Sequence, residues 1–325
     1  MITFIVTTYN LEDWLLRRCL TSIVAQGVAD YEIIVVDDES DISPQQVVEE
    51  FSKQANIRLY IQKHSRQGAA RNLALSHAKG QWIQFVDGDD YLLPHTVSPC
   101  LEMAKKNGLD LLMFGYREVN TQAMELTPPS VGEACLSDIT TGNEYMLRHN
   151  LFGSCCTLLF CRTLLDAPTH GLPLRFTEHI YIEDEEFVTQ LVWRAQRMAR
   201  TESIVYAYYQ RPGSTVHSRS KAHTDELFRN YFVVLNRLLQ FEAAIATQPH
   251  EGVTRKIRFL AVDIMRRTLR EEDWQSRWNE TVTQLRDLGL YPIPSASYSW
   301  KYQLFSLLSQ SRVGRQLLKA TEHLS

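Results

Sequence analysis

Residues 82–92, Trp82-Ile83-Gln84-Phe85-Val86-Asp87-Gly88-Asp89-Asp90-Tyr91-Leu92, pass from a run of strand formers straight into three carboxylates. The stretch from Trp82 to Val86 is too short for an independent helix and rich in aromatic and β-branched residues, so it reads as a buried strand. Three acids this close repel one another, which raises their pKa values unless a cation neutralises them. Hard oxygen ligands suit Mg2+ or Mn2+, which take one or two carboxylates and complete their shell with water and substrate phosphates. Gly88 would let the backbone approach a ligand closely. The plainer alternative is an acidic turn with Gly88 in a left-handed conformation.

Similar short runs at Thr3–Thr8, Glu32–Asp37, Ile57–Gln62 and Leu111–Tyr116 read as further buried strands. Helix-period segments lie between them: Leu11, Leu15, Leu16, Cys19, Leu20 and Ile23 share one face, and Val47, Val48 and Phe51 begin another. For the second, Ser43 is expected to cap the amide of Gln46 while Gln46 reaches back, with Pro44 at the first helical position. Strands alternating with helices imply a mostly parallel sheet with helices on both faces, an α/β class.

Beyond Tyr116 the pattern loosens. Pro128-Pro129 marks a surface excursion, and apolar runs resume at Leu147 and Cys155 to Phe160. A helix is expected over Asp184–Arg197, with Phe187, Leu191 and Trp193 inward, then a strand over Ile204–Tyr209. After Pro212-Gly213 nothing resembles a strand. Helical stripes follow, Leu227, Tyr231, Val234, Leu235 and Leu238, then Ile257, Leu260, Ala261, Ile264 and Leu269. The expected division is an α/β domain over 1–220 and an all-α C-terminal domain of three or four helices over 221–325.

A length of 325 residues fits two domains, and 44% hydrophobic with 22% charged residues excludes a disordered or fibrous chain. The absence of a membrane-length apolar run and of a signal peptide's basic start leads to the expectation of a cytoplasmic protein, at most peripheral at the inner face of a membrane. The six cysteines form no C-x-x-C pair, so neither structural zinc nor an oxidised framework is expected. Residues 225–325 hold 14 Lys+Arg against 11 Asp+Glu, whereas residues 1–224 hold 20 against 27. An acidic front portion would repel a phosphate backbone, so no nucleic-acid partner is expected. No two glycines are separated by one residue, which excludes G-x-G-x-x-G, and the P-loop pattern is missing too.

Two further polar clusters sit at strand ends, Thr7-Thr8-Tyr9-Asn10 and Asp37-Asp38-Glu39-Ser40. Open α/β sheets bind ligands there. The acids could accept hydrogen bonds from a ribose hydroxyl or a base imide, or could simply build turns.

Taken in order, Val6-Thr7-Thr8-Tyr9-Asn10, Cys19-Leu20-Thr21-Ser22-Ile23, Glu32-Ile33-Ile34-Val35-Val36-Asp37-Asp38, Gly68-Ala69-Ala70-Arg71-Asn72 and Phe85 to Leu92 resemble the inverting family 2 glycosyltransferases of the GT-A fold. The resemblance runs from Ile2 to about Ser214. It implies that Thr8, Tyr9 and Asn10 shape a nucleotide pocket, that Asp38 contacts uracil, and that Arg71 lies near the base or diphosphate. Asp87 and Asp89 would form the D-x-D motif about Gly88, with Asp89 the direct ligand of Mn2+ or Mg2+. Thr7-Thr8 stands where the family usually has Pro-x, a departure that leaves the pocket chemistry intact.

Ile182-Glu183-Asp184-Glu185-Glu186-Phe187 looks like the family's E-D-x-x-F segment, which makes Asp184 the general base, with Glu183 second. Inverting transfer is one in-line displacement, so the acceptor hydroxyl must lose its proton as it attacks. Four acids at a helix start would also complement the helix dipole, and the residues alone leave open which of Glu183, Asp184 and Glu185 faces the cleft. Tyr206 to Ser214 resembles the family's Y-x-Y-x-x-R-x-x-S ending. Arg211 or His217 could close over the donor diphosphate, or could be solvent-facing loop residues.

The implied function is transfer of a sugar from a nucleotide-sugar donor, a UDP-sugar, to a hydroxyl of a saccharide or lipid-linked oligosaccharide in bacterial surface polysaccharide synthesis. A sugar nucleotidyltransferase would need a glycine-rich basic first loop, which is missing. A non-catalytic nucleotide-sugar-binding or docking subunit of a polysaccharide assembly complex is the alternative from another class. The tail stripe of Trp300, Leu304, Phe305, Leu307, Leu308, Leu317 and Leu318 is expected to pack inward. With Lys301, Arg312, Arg315 and Lys319 beside it, peripheral contact with the inner membrane is the other reading.

Overall fold

The computed structural model describes residues 1–120, 136–166, 173–211 and 220–322. Two compact units emerge: residues 1–145 with 151–220, and residues 146–150 with 221–325.

In the first unit β1 (Ile2–Thr8), β2 (Tyr31–Asp37), β3 (Ile57–Ile61) and β4 (Trp82–Asp87) run parallel, in spatial order β3-β2-β1-β4. Their connections contain α1 (Asp13–Val24), α2 (Gln45–Phe51) and α3 (Arg66–His77). After β4 come β5 (Tyr91–Leu92), α4 (Val97–Lys106), β6 (Leu111–Val119) and α5 (Gly142–Arg148). Then β7 (Leu158–Cys161), α6 (Thr163–Asp166), α7 (Glu183–Arg194) and β8 (Met198–Tyr209) complete it. β7 is antiparallel to both β4 and β6, β8 is parallel to β6, and β5 is antiparallel to β8. The sheet is therefore mixed, with four of its seven pairings parallel.

The apolar runs behave as their composition requires. β1 is buried along its whole length, and Leu15, Leu16, Cys19, Leu20 and Ile23 of α1 are buried too. The step from β1 to β2 goes one way along the sheet, and the later step from β3 to β4 returns to the other side of β1. Such a reversal leaves a crevice at the carboxyl ends of β1 and β4.

Three local readings need correction. Ser43 Oγ takes the amide of Gln45 at 3.3 Å, not that of Gln46, and Gln45 bonds to Glu49 at 2.7 Å; Pro44 is the cap residue, so no reciprocal box forms. The helix expected to reach Arg197 stops at Arg194, because Ala195 turns extended and Met198 already pairs with Leu111 at the start of β8. Gly88 avoids the left-handed region. Pro128-Pro129, Pro212-Gly213, Ser214 and His217 lie outside the described residues.

The second unit is helical among its described residues, with α8 (Lys221–Ala244), α9 (Glu251–Thr268), α10 (Trp274–Asp287), α11 (Trp300–Ser309) and α12 (Arg312–Glu322). That is five helices where three or four were expected. The foreseen stripes Tyr231, Val234, Leu235, Leu238 and Ile257, Leu260, Ala261, Ile264 are buried. The inward packing expected of the tail stripe holds only for Phe305. Tyr302, Phe305, Ser306 and Ser309 form the inner face of α11, anchored by Tyr302 OH to Pro294 O (2.8 Å) and Ser306 Oγ to Ile293 O (3.0 Å). Trp300, Leu304, Leu307 and Leu317 stay on the surface. No described helix is long and apolar enough to cross a membrane.

Candidate active site

Strand register gathers the polar clusters at one edge. Thr8 lies opposite Asp37, and Thr7 opposite Asp87, so the loops after β1, β2 and β4 leave side by side. Gly88 joins two of them: its amide donates to Thr7 O at 3.0 Å, and a Cβ there would sit 2.9 Å from that oxygen and 2.8 Å from Leu11 Cδ1. The glycine is demanded by its own chain's backbone and not by a ligand.

The three carboxylates of the acidic turn have different surroundings. Asp87 Oδ1 accepts from Gln67 Nε2 at 2.6 Å and Arg71 Nη2 at 3.0 Å, while no donor of the described chain reaches Oδ2. Asp89 Oδ2 accepts from Arg211 Nε at 2.8 Å, and the Asp89 carbonyl accepts from Arg18 at 2.7 Å. Burial and the neighbouring Asp87 raise the Asp89 carboxyl, against the opposing pull of Arg211. Asp90 is fully inside, accepting from Tyr206 OH at 2.6 Å and the Tyr209 amide at 2.7 Å. Burial, with Asp89 and Asp87 close by, holds it well above the usual carboxylate range.

Arg71 ties this turn to the acidic helix. It is buried, and α3 brings it there because Gly68 one turn earlier lets the helix lie against Thr177; a Cβ on Gly68 would come within 2.7 Å of the Thr177 carbonyl. Asn72 secures the same approach, donating to Phe176 O at 3.0 Å and accepting the Phe176 amide at 2.9 Å. Arg71 Nη1 then reaches Glu183 Oε1 at 2.8 Å and Asp184 Oδ1, while Nη2 holds Asp87. Burial alone would lower this guanidinium, but Asp184, Asp87 and Glu183 outweigh it and keep it firmly charged. With three carboxylates on its donors, Arg71 is an internal bolt beside the acidic turn.

Glu183 and Asp184 share that one cation and differ in access. The Glu183 side chain is 7% exposed and burial, reinforced by Asp184, pushes it up to about 7. Asp184 keeps 20% of its side chain open; burial raises it and Arg71 opposes the rise. Its Oδ2 also accepts from the Cys155 amide at 3.3 Å. Glu185 instead lies over Gly153, where a Cβ would meet its Oε1 at 2.6 Å. The residue before this helix, Ile182, has φ of 60°, a left-handed conformation that is strained for a β-branched side chain and recurs at functional sites.

Facing the acids across the edge, Tyr9 is half exposed and its ring meets His64 at 4.5 Å between centroids. Asn10 is structural in part, its Oδ1 accepting the Asp41 amide at 2.7 Å and its own amide donating to Ser40. Thr8 is buried, its carbonyl accepting the Asp38 amide. Asp38 is engaged by its own chain: Oδ1 accepts from Gln62 (2.6 Å) and the Ser65 amide (2.9 Å), Oδ2 from the Arg66 amide (2.8 Å) and His64 (2.9 Å). A uracil imide would have to replace one of these four partners.

Gln67, His64, Arg18 and Tyr206 were not singled out from the sequence. Tyr206 stood inside a quoted motif, and its hydroxyl, which donates to Asp90 and accepts from the Asp87 amide at 3.1 Å, had no one-dimensional signal. Among the described residues no group of three or more His, Cys, Asp or Glu is arranged to hold a metal ion. The chain offers two carboxylates, Asp87 and Asp89, a donor set that fits an ion whose shell is completed by water and phosphate oxygens.

The chain is similar to known glycosyltransferases. The sequence pattern described as glycosyl transferase family 2 matches residues 3–167, ending before Asp184 and Arg211. An uncharacterized glycosyltransferase, EpsJ of Bacillus subtilis, is 26% identical over 78% of this chain and 71% of its own length. The Escherichia coli UDP-Glc:alpha-D-GlcNAc-diphosphoundecaprenol beta-1,3-glucosyltransferase WfgD is 29% identical over 51% of this chain, and the match spans 62% of WfgD. Among solved structures, residues 1–349 of Staphylococcus aureus TarS in complex with UDP-GlcNAc align over 99% of this chain and 88% of that one, with TM-score 0.68 and 19% identity. A mannosyltransferase from Pyrobaculum calidifontis in complex with GDP-Man and Mn2+ aligns with TM-score 0.53 at 15% identity, over 99% of this chain and 84% of that one.

Proposed function

The chain belongs to glycosyl transferase family 2, and from that premise we propose that it transfers a sugar from a UDP-sugar, with inversion, to a hydroxyl of a saccharide or lipid-linked saccharide in bacterial surface polysaccharide synthesis. The observation that carries the reading is Arg71, whose guanidinium joins Asp87 at the end of β4 to Glu183 and Asp184 at the start of α7. A metal-binding turn and a proton acceptor then occupy one rigid cluster. The donor choice is supported by the UDP-GlcNAc bound to TarS and by WfgD, a glucosyltransferase from UDP-Glc to a diphosphoundecaprenol-linked sugar.

Tyr9 offers its open ring to the base, with Thr8 and Asn10 shaping the loop around it and Asp38 reading the imide in place of His64. Asp89 and Asp87 would hold Mn2+ or Mg2+ about Gly88; when bound, the ion neutralises charge on the departing diphosphate. Arg211 is released from Asp89 to donate to phosphate oxygens, with His217 as a second donor. Asp184, the more open of the paired acids, takes the acceptor proton as its oxygen attacks the anomeric carbon opposite the leaving group. Glu183 shares Arg71 with it and tunes its basicity. The helical unit meets acceptor, partner or membrane.

Asp184→Asn tests the assignment. Loss of transfer by about 100-fold or more, the usual worth of a general base, with unchanged UDP binding, is expected. Full transfer by that variant would remove Asp184 from the role, and Glu183→Gln would then be the variant to lose it.

A further inference from the structure

The tail helices present a surface that the fold leaves uncovered. α11 turns Tyr302, Phe305, Ser306 and Ser309 inward and sets Trp300, Leu304 and Leu307 outward at i, i+4, i+7 spacing, 69%, 43% and 68% exposed. α12 follows closely, with Gly314 against the Leu308 carbonyl, and exposes Val313 and Leu317 by 73% and 54%. Large apolar side chains scattered singly over a surface need no explanation; a periodic row on consecutive helices does. Charge supplies the second observation. From Trp300 to Glu322 there are four cations, Lys301, Arg312, Arg315 and Lys319, against one acid, Glu322. Arg315 lies 5.8 Å from the Trp278 ring, and Lys319 donates to Leu269 O at 3.1 Å and lies over the Trp274 ring, so these two turn toward their own chain while Lys301 and Arg312 are exposed.

We propose that α11 and α12 form a docking face for an anionic lipid bilayer. Outward Leu and Val side chains enter the headgroup boundary, Trp300 sits at its polar edge, and Lys301 and Arg312 meet lipid phosphates. A second copy of the chain would bring the same exposed cations, Lys301 and Arg312, against each other, so charge favours lipid over self-association. The inference rests on the reading that the acceptor is carried by lipid, and docking would keep the enzyme where that acceptor is.

The test is co-sedimentation of the full chain with vesicles of phosphatidylcholine alone or mixed with phosphatidylglycerol, at low and high salt. Retention on the anionic vesicles only, weakened by salt, is expected. The triple variant Trp300→Ser, Leu304→Ser, Leu307→Ser should abolish it, and Lys301→Gln with Arg312→Gln should weaken it about fivefold per cation removed, the attraction expected of each basic side chain near an anionic leaflet. These positions are exposed, and calorimetric titration of UDP checks that each variant keeps its donor site. No retention on anionic vesicles, equal retention by the triple variant, or a dimer that the triple variant dissolves would each overturn the proposal. If UDP fails to bind the parent protein while vesicles still retain it, the transferase reading falls and the docking face stands.

Discussion

One buried guanidinium balances three carboxylates around Arg71, and that ratio sets how the acids titrate. Glu183, at about 7, and the raised Asp184 share the cation, so they lose protons as a pair. A carboxylate base works only when ionised. Activity is therefore expected to climb with pH at values above the ordinary carboxylate range near 4, because burial raises Asp184. In Glu183→Gln Arg71 is shared by Asp184 and Asp87 alone, so the midpoint of the acid limb should move to lower pH; an unmoved limb would show that Glu183 does not tune the base. Folding carries the opposite sign. An acid raised in the folded state binds protons that the unfolded chain has released, so Glu183 weakens the fold as pH rises from its ordinary value towards 7. Removing the cation is more severe: Arg71→Met leaves buried charge uncompensated and should cost about 3–5 kcal/mol, read from the urea midpoint. The acids themselves were legible in the sequence, since strand-end carboxylates have a short-range signature. Arg71's partners were not, because Glu183 and Asp184 lie more than a hundred positions away along the chain.

Among the elements, those with a single strong period were readable. β1 to β4 and the stripes of α8 and α9 appear where β-branched runs and 3.6-residue spacing put them. β5 was hidden because it is two residues inside the acidic turn, paired only with β8. The first part of β8, Met198 to Ser203, carries Arg200, Thr201 and Glu202 and reads as polar surface, yet it pairs with β6. α10 was indistinct since two of the four residues on its buried face, Trp278 and Thr281, are not aliphatic, although Trp278, Thr281, Val282 and Leu285 keep helical spacing. The docking of α3 against residues 176–177 is the element-level contact on which the acid cluster depends. Gly68→Ala would force that helix from the Thr177 carbonyl and should destabilise the protein by about 1–3 kcal/mol, while also lowering transfer, because Arg71 moves with α3. A variant with unchanged thermal midpoint and activity would contradict this.

At the scale of the molecule, strand signals stop after Tyr209, and residues 146–150 with 221–325 form a compact unit of their own. The path of Met146–Asn150, which belongs with the helical unit, was not foreseeable, since an excursion of five residues carries no compositional mark. Nor was the orientation of the tail stripe. An amphipathic helix announces that it has two faces, and only the packing of Tyr302 and Phe305 against the chain decides which one is inside.

The central claim is that the edge formed by β1, β2 and β4 binds a nucleotide diphosphate with a divalent ion held by Asp87 and Asp89. Calorimetric titration of the whole chain with UDP, GDP and dTDP, each with Mn2+ and again with EDTA, tests it most directly, with Asp89→Ala alongside. The expected result is UDP binding that needs the ion and disappears in the variant. Absence of binding by every nucleotide, or UDP binding equally well in EDTA and in Asp89→Ala, would contradict it.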